Sequence, residues 1–192
     1  MKISVIVPAF NEEKLIERSL SAIRAAGVGF ERLGWQWEMI VCNNNSTDRT
    51  AELAEAAGAK VVFEPVNQIS RARNCGASVA TGDWLIFIDA DSFPSAELFD
   101  DVATVIQSGM CIGGGSTVKL DDLEGFIRGI AWSWNWLSRW KRWMAGSFVF
   151  CPAKVFRQLG GFSEQLFAAE ELDFSKRLKT VARDRGLKVV IL

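Results

Sequence analysis

Short apolar runs of strand length alternate with stretches whose apolar residues recur at helical spacing. Ile3-Ser4-Val5-Ile6-Val7 predicts a first strand near residues 2–7. It ends at Pro8-Ala9-Phe10-Asn11-Glu12, after which Leu15, Ile16, Leu20 and Ile23 supply one helical face. A second strand is predicted near 36–42. The cluster Asn43-Asn44-Asn45-Ser46-Thr47-Asp48 follows it, ahead of a helix over 48–57 that Gly58 stops. Lys60 to Phe63 predicts a third strand, and a helix near 69–80 ends at Thr81-Gly82. With the strand that comes next, this order predicts an α/β domain with a mainly parallel sheet, right-handed crossovers and strand ends gathered on one edge.

That next strand organises the chain. Trp84-Leu85-Ile86-Phe87-Ile88 is continuously apolar, as a buried strand is, and stops at Asp89-Ala90-Asp91. Carboxylates at the carboxyl end of a strand lie where open α/β sheets bind ligands. Continued as an extended chain, the run sends Asp89 and Asp91 to the same side, close enough to share one hard cation. Two adjacent carboxylates repel unless neutralised, so a divalent metal carrying a phosphorylated ligand accounts for both. The alternative is an N-cap, with Asp91 or Ser92 capping the helix that begins near Ser95, which accounts for one carboxylate.

Composition narrows the chemistry. The 192 residues are 49% hydrophobic, enough for one large core, and no linker composition divides them. Net charge is −1 with both signs interspersed, so no nucleic-acid footprint is present. Cys42, Cys75, Cys111 and Cys151 are widely spaced in or beside apolar stretches and read as reduced core residues, neither a zinc site nor a disulfide framework. With no histidine in the chain, acid, base or metal work falls to carboxylates. Met1-Lys2 leads straight into the first strand, so no signal peptide is expected, and no apolar run is long enough to cross a bilayer. A cytoplasmic location is expected.

The second half is less regular. An amphipathic helix is predicted over Ala96 to Ile106, and a strand over Met110 to Gly115, where Gly113, Gly114 and Gly115 permit close approach of backbone or ligand. Five of the eight tryptophans fall between Gly125 and Met144. At helical spacing Trp132, Trp136, Trp140 and Trp143 form a stripe roughly 80° wide, flanked by Arg128, Arg139 and Arg142. Such a stripe either packs on the sheet or lines an acceptor groove, or makes peripheral contact with the inner face of a membrane. In Glu170-Glu171-Leu172-Asp173-Phe174, a helix whose buried face is Phe174, Leu178 and Val181 places Glu170 and Glu171 about 50° to either side of that face. Core-facing carboxylates are costly unless a cavity or ligand meets them.

Val7-Pro8-Ala9-Phe10-Asn11-Glu12, Asn45-Ser46-Thr47-Asp48, Ala72-Arg73-Asn74 with Gly76, Asp89-Ala90-Asp91 and Gly160-Gly161-Phe162 resemble, in order, the motifs of family 2 glycosyltransferases of the GT-A fold. The resemblance covers nearly the whole chain. It implies a single GT-A, Rossmann-like domain over 1–192, with a nucleotide-sugar half (about 1–91) and an acceptor half (about 92–192). It also implies inverting transfer from a nucleoside diphosphate sugar to an unidentified sugar, lipid or small-molecule acceptor. By that resemblance Pro8, Ala9 and Glu12 line the nucleoside pocket and Arg73 approaches the nucleotide. Asp89, Ala90 and Asp91 form the DxD motif, with Mn²⁺ or Mg²⁺ held chiefly by Asp91. Where the family commonly has a base-reading Asp, this chain has Asn43, which leaves the choice of nucleobase open. Asn44 and Asn45 fit a ligand role and a plain turn equally.

The family's second acidic motif, normally Glu-Asp, is Glu170-Glu171 here, which aligns Glu171 with the general base and leaves Glu170 to position the acceptor. Two rival readings stand beside this one. A nucleotidyltransferase on a similar sheet lacks its glycine-rich basic loop here. A non-catalytic sugar-nucleotide binding or scaffold protein of the same fold is motivated by Asn43 and the altered acidic pair. The chain ends within a predicted strand at Val189 to Leu192, as a compact family member would or a chain cut before a C-terminal tail.

Overall fold

Alternating side chains on the central strands serve two cores at once. On β1 (Lys2–Ala9), Ile3, Val5 and Val7 face one layer and Ile6 the other; on β4 (Trp84–Ile88), Ile86 and Ile88 oppose Leu85 and Phe87. The computed structural model describes residues 1–117, 147–167 and 169–192. Among these the remaining strands are β2 (Gln36–Asn43), β3 (Lys60–Phe63), β5 (Cys111–Gly115), β6 (Phe148–Pro152) and β7 (Lys188–Ile191). The helices are α1 (Ile16–Arg32), α2 (Thr50–Ala56), α3 (Ile69–Ser78), α4 (Ala96–Gln107), α5 (Ala153–Gln158) and α6 (Glu170–Asp184).

The seven strands form one sheet in the order β3-β2-β1-β4-β6-β5-β7, parallel except for β6, which runs antiparallel to both β4 and β5. Helices α1 and α4 bury Ile16, Leu20, Ile23, Phe30, Phe99 and Val102 against one face. Helices α3, α5 and α6 bury Ala77, Phe156, Phe174 and Leu178 against the other, where Phe87, Phe156, Phe162 and Phe174 interlock with ring centroids 4.9–5.5 Å apart. Helix α3 reaches the sheet closely because it offers small residues there: a Cβ on Gly76 would stand 2.5 Å from Ile6 Cγ2.

Two of the three glycines of β5, Gly113 and Gly114, are explained by close backbone. A Cβ on Gly113 would meet the Phe150 carbonyl oxygen at 2.5 Å, and one on Gly114 the Val190 oxygen at 2.1 Å. Neither strand β6 nor helix α5 follows from the apolar pattern considered above, and β6 separates β4 from β5. The tryptophan stripe from Trp132 to Trp143 lies outside the described residues. Among those described, no helix is long and apolar enough to cross a membrane. All four cysteines are free thiols, Cys42, Cys111 and Cys151 buried and Cys75 half-buried.

At the sheet edge where β1 and β2 begin, Glu38 gathers three segments. Its Oε1 accepts from Ser4 Oγ at 2.6 Å and from the Thr81 backbone N–H at 2.8 Å, and Lys2 Nζ lies 3.2 Å from Oε2. Burial works to raise its pKa, but these hydrogen bonds outweigh it and hold the carboxyl at about 2, against an ordinary 4.5. The lowered pKa means a stabilisation that is complete above about pH 4.5 and lost as pH falls towards 2. Thermal melts of Glu38→Gln should show a loss of about 1–2 kcal/mol at pH 7, after discounting for solvent screening, and no difference from wild type near pH 2. Equal melting at pH 7 would remove this role.

Candidate active site

The strand order reverses direction of growth between β1 and β4, and at such a switch point the loops leaving the carboxyl ends diverge and open a crevice. The loops after β1 and β2 are fastened to each other. Asn11, at φ 54°, donates its N–H to Ser46 Oγ (3.0 Å) and accepts the Thr47 N–H on Oδ1 (2.8 Å). The Glu12 N–H donates to Thr50 Oγ1 (2.8 Å) and the Glu13 N–H to Asp48 Oδ2 (3.0 Å). The two polar motifs read from the sequence therefore hold one another, which fixes Glu12 over the crevice.

The asparagine run divides its work. Asn43 Oδ1 accepts the Ser46 N–H three residues on at 2.8 Å and so closes the turn, while Asn45 takes the left-handed conformation at φ 63°. Asn44 is buried; its amide donates to the carbonyls of Glu64 and Val66 and accepts the Gln68 N–H at 3.0 Å. Of the three, Asn44 reaches the wall of the crevice.

That crevice is a cavity of about 460 Å³ lined by Pro8, Ala9, Phe10, Glu12, Asn44, Asn67, Gln68, Ile69, Ala72, Asp89, Ala90 and Asp91. Candidate residues from three separate motifs thus share one wall. These lining residues include three carboxylates and no lysine or arginine. Burial raises the Glu12 pKa, and the charges of Asp91, Asp48 and Asp89 raise it further.

Asp89 and Asp91 reach the cavity by a different geometry from strand alternation. Strand β4 ends at Ile88, and the chain then turns, with the Ser92 N–H donating to the Asp89 carbonyl at 3.0 Å. Neither Asp91 nor Ser92 caps helix α4, since Ser95 does, its Oγ accepting the Leu98 N–H. Asp91 is exposed at the rim, whereas Asp89 is half-buried and ion-paired to Arg73. Burial raises the Asp89 pKa even though Arg73 opposes the rise.

The Arg73 guanidinium is 1% exposed and lies between two carboxylates. Nη2 donates to Asp89 Oδ1 at 2.9 Å and Nη1 to Glu170 Oε1 at 2.7 Å, with the Phe162 ring centroid 5.3 Å from the guanidinium carbon. Glu170, a candidate for acceptor positioning, is 3% exposed and turned to Arg73. Glu171 is half-buried beside it, and burial raises its pKa above 4.5, with Glu170 and Asp89 adding to the rise. A carboxylate whose pKa is raised is a stronger base than a free one. Neither glutamate is among the cavity-lining residues, and Glu170 is linked to Asp89 through Arg73.

The Gly160-Gly161-Phe162 motif is where helix α6 and helix α3 are joined. Asn74 Oδ1 accepts the Phe162 N–H and Asn74 Nδ2 donates to the Phe162 carbonyl, both at 2.9 Å. From the other side Arg177 donates to the carbonyls of Leu159 (2.7 Å) and Gly161 (2.9 Å). Gly161, at φ +72°, has no room for a side chain, because a Cβ would stand 2.6 Å from Asn74 Oδ1. Gln68, which the sequence reading did not single out, donates to the carbonyls of Glu164 and Leu166 and ties the same loop to the cavity wall.

Among the described residues no group of three or more His, Cys, Asp or Glu is arranged to hold a metal unaided. This donor set fits a different class of site. Mg²⁺ and Mn²⁺ are commonly held by one or two carboxylates together with ligand phosphates, and Asp91, with Asp89 behind it, offers hard oxygens of that kind.

The model of the family described as "Glycosyl transferase family 2" matches residues 4–157. An uncharacterized glycosyltransferase of Rickettsia bellii is 32% identical over 107 residues, 56% of this chain and 33% of that protein, so the chain spans about a third of its length. The crystal structure of Staphylococcus aureus TarS 1–349 in complex with UDP-GlcNAc is similar at TM-score 0.77 and 21% identity, over 100% of this chain and 56% of that one. The mannosyltransferase PcManGT of Pyrobaculum calidifontis, solved with GDP-Man and Mn²⁺, is similar at TM-score 0.75 and 19% identity, over 99% and 54%. The fold is that of these GT-A enzymes, and the chain belongs to glycosyl transferase family 2.

Proposed function

We propose that this chain transfers a sugar from a nucleoside diphosphate sugar to an acceptor hydroxyl with inversion, assisted by Mn²⁺ or Mg²⁺, with Glu171 as general base. The carrying observation is the switch-point cavity, whose lining among the described residues includes Glu12, Asp89 and Asp91 and no basic side chain. A diphosphate is repelled from such a wall unless a cation accompanies it. TarS has been solved with UDP-GlcNAc and PcManGT with GDP-Man and Mn²⁺, which supports the same chemistry.

In this reading Pro8, Ala9, Glu12, Asn44 and Ala90 surround the donor, and Asp91, backed by Asp89, holds the cation. When bound, the cation supplies positive charge against the diphosphate leaving group. Residues 1–91 serve the donor and residues 92–192 the acceptor. Glu171 accepts the proton of the acceptor hydroxyl as that oxygen attacks the anomeric carbon from the face opposite the diphosphate. Burial raises the Glu171 pKa, which favours proton uptake, and the hydrogen-bonded loops after β1 and β2 hold the donor side in place.

The test is nucleoside diphosphate release from UDP-glucose, UDP-GlcNAc and GDP-mannose with Mn²⁺, with and without a panel of sugar and lipid acceptors. Release that is stimulated by one acceptor is the expected result. Tight binding of a nucleotide sugar without turnover on any acceptor would instead favour a binding protein of the same fold.

A further inference from the structure

Arg73 stands where the two halves of the site meet. It leaves helix α3 one residue after Ala72, at the cavity wall, and its buried guanidinium bonds Asp89 on one side (2.9 Å) and Glu170 on the other (2.7 Å). Asp89 opens the turn that carries Asp91 into the cavity, and Glu170 is the first residue of helix α6, adjacent to Glu171. A guanidinium is a rigid planar fork, so bonding both carboxylates at once fixes their relative place. With side chains of Arg73 and Glu170 at 1% and 4% exposure, the bond between them is shielded from water, while Asp89, at 26%, faces the cavity.

We propose that Arg73 is a positioning residue that couples the Asp89–Asp91 turn to the first turn of helix α6, so that filling the donor cavity orders the segment carrying Glu171. This rests on the nucleotide-sugar reading of the cavity. The predicted signature is protection at a distance. A nucleoside diphosphate bound against the turn slows backbone hydrogen exchange in the first turn of α6 as well as at the turn itself.

Hydrogen exchange of the full chain with UDP or GDP and Mn²⁺, each brought to saturation by calorimetric titration, tests this. Wild type should gain protection over 86–93 and over 169–176. In Arg73→Lys, whose single ammonium lacks the fork, protection at saturation should persist over 86–93 and fall at least about twofold over 169–176. If melting shows that Arg73→Lys does not fold, Glu170→Ala cuts the far end while leaving the Arg73–Asp89 pair, and the same loss is expected. Protection confined to 86–93 in wild type, or undiminished over 169–176 in a folded variant, would overturn the coupling and leave the cavity reading standing. Absence of binding by either nucleotide would overturn both, and the titration shows it before any exchange is measured.

Discussion

Glu171→Gln is expected to lower kcat on the order of 10²-fold or more in a turnover assay with the true acceptor, with donor binding nearly intact. The substitution keeps shape and hydrogen bonding and removes the ability to take a proton. Glu171 is the half-buried member of the pair, and burial, with the charges of Glu170 and Asp89, raises its pKa above 4.5. A base must be deprotonated to act, so the acid limb of the wild-type kcat profile should fall above the ordinary glutamate value and vanish in Glu171→Gln. Glu170→Gln differs in kind, because Glu170 is 3% exposed and bonded to Arg73, so its loss acts by loosening the start of helix α6. Near-normal turnover in both single variants and the double variant would remove general-base catalysis from this helix.

Much of this arrangement is legible in the residue pattern because it is local. The strands that alternate or run apolar, β1, β2, β3 and β4, lie within two residues of their predicted limits, and the turn formers after each mark the edge where the cavity opens. Strand β6 is not legible in the same way. Phe148 to Pro152 is defined by pairing with β4, more than 60 residues earlier in the chain, and by β5, and the direction of that pairing leaves no mark in a five-residue run. Asp89 and Asp91 share one cavity as expected, but through a turn and not through strand alternation, which holds only while the strand lasts and Ile88 is its last residue.

The Arg73 bridge was hidden for want of partners. Its position on α3 beside Ala72, Gly76 and Ala77 places it on the face packed against the sheet. A buried arginine must be paired, so that much was inferable; which carboxylates meet it depends on residues 16 and 97 positions away. Asn43 shows the opposite case, in which a residue matched to a ligand position has its side-chain oxygen taken by the Ser46 N–H of its own turn.

Asp91→Ala should abolish metal-dependent nucleotide binding, weakening UDP or GDP affinity in Mn²⁺ by more than about tenfold, equivalent to more than about 1.4 kcal/mol. The expectation follows from the charge at the cavity. Glu12, Asp89 and Asp91 line it, Asp89 is already engaged by Arg73, and of the two that remain Asp91 is the exposed one, at the rim where a cation can reach it. Without a cation the diphosphate meets like charge, so wild-type binding in EDTA should be as weak as that of Asp91→Ala in Mn²⁺. The variant should be indifferent to the metal, because it lacks the rim carboxylate and Asp89 is engaged by Arg73. Calorimetry on the four combinations of protein and metal separates this from a simple charge effect. If Asp91 acted only through its own repulsion, its removal would tighten binding in EDTA and leave binding in Mn²⁺ unharmed. Undiminished wild-type binding in EDTA would sink the metal assignment outright, and it would require the donor phosphates to be met by residues other than those lining this cavity.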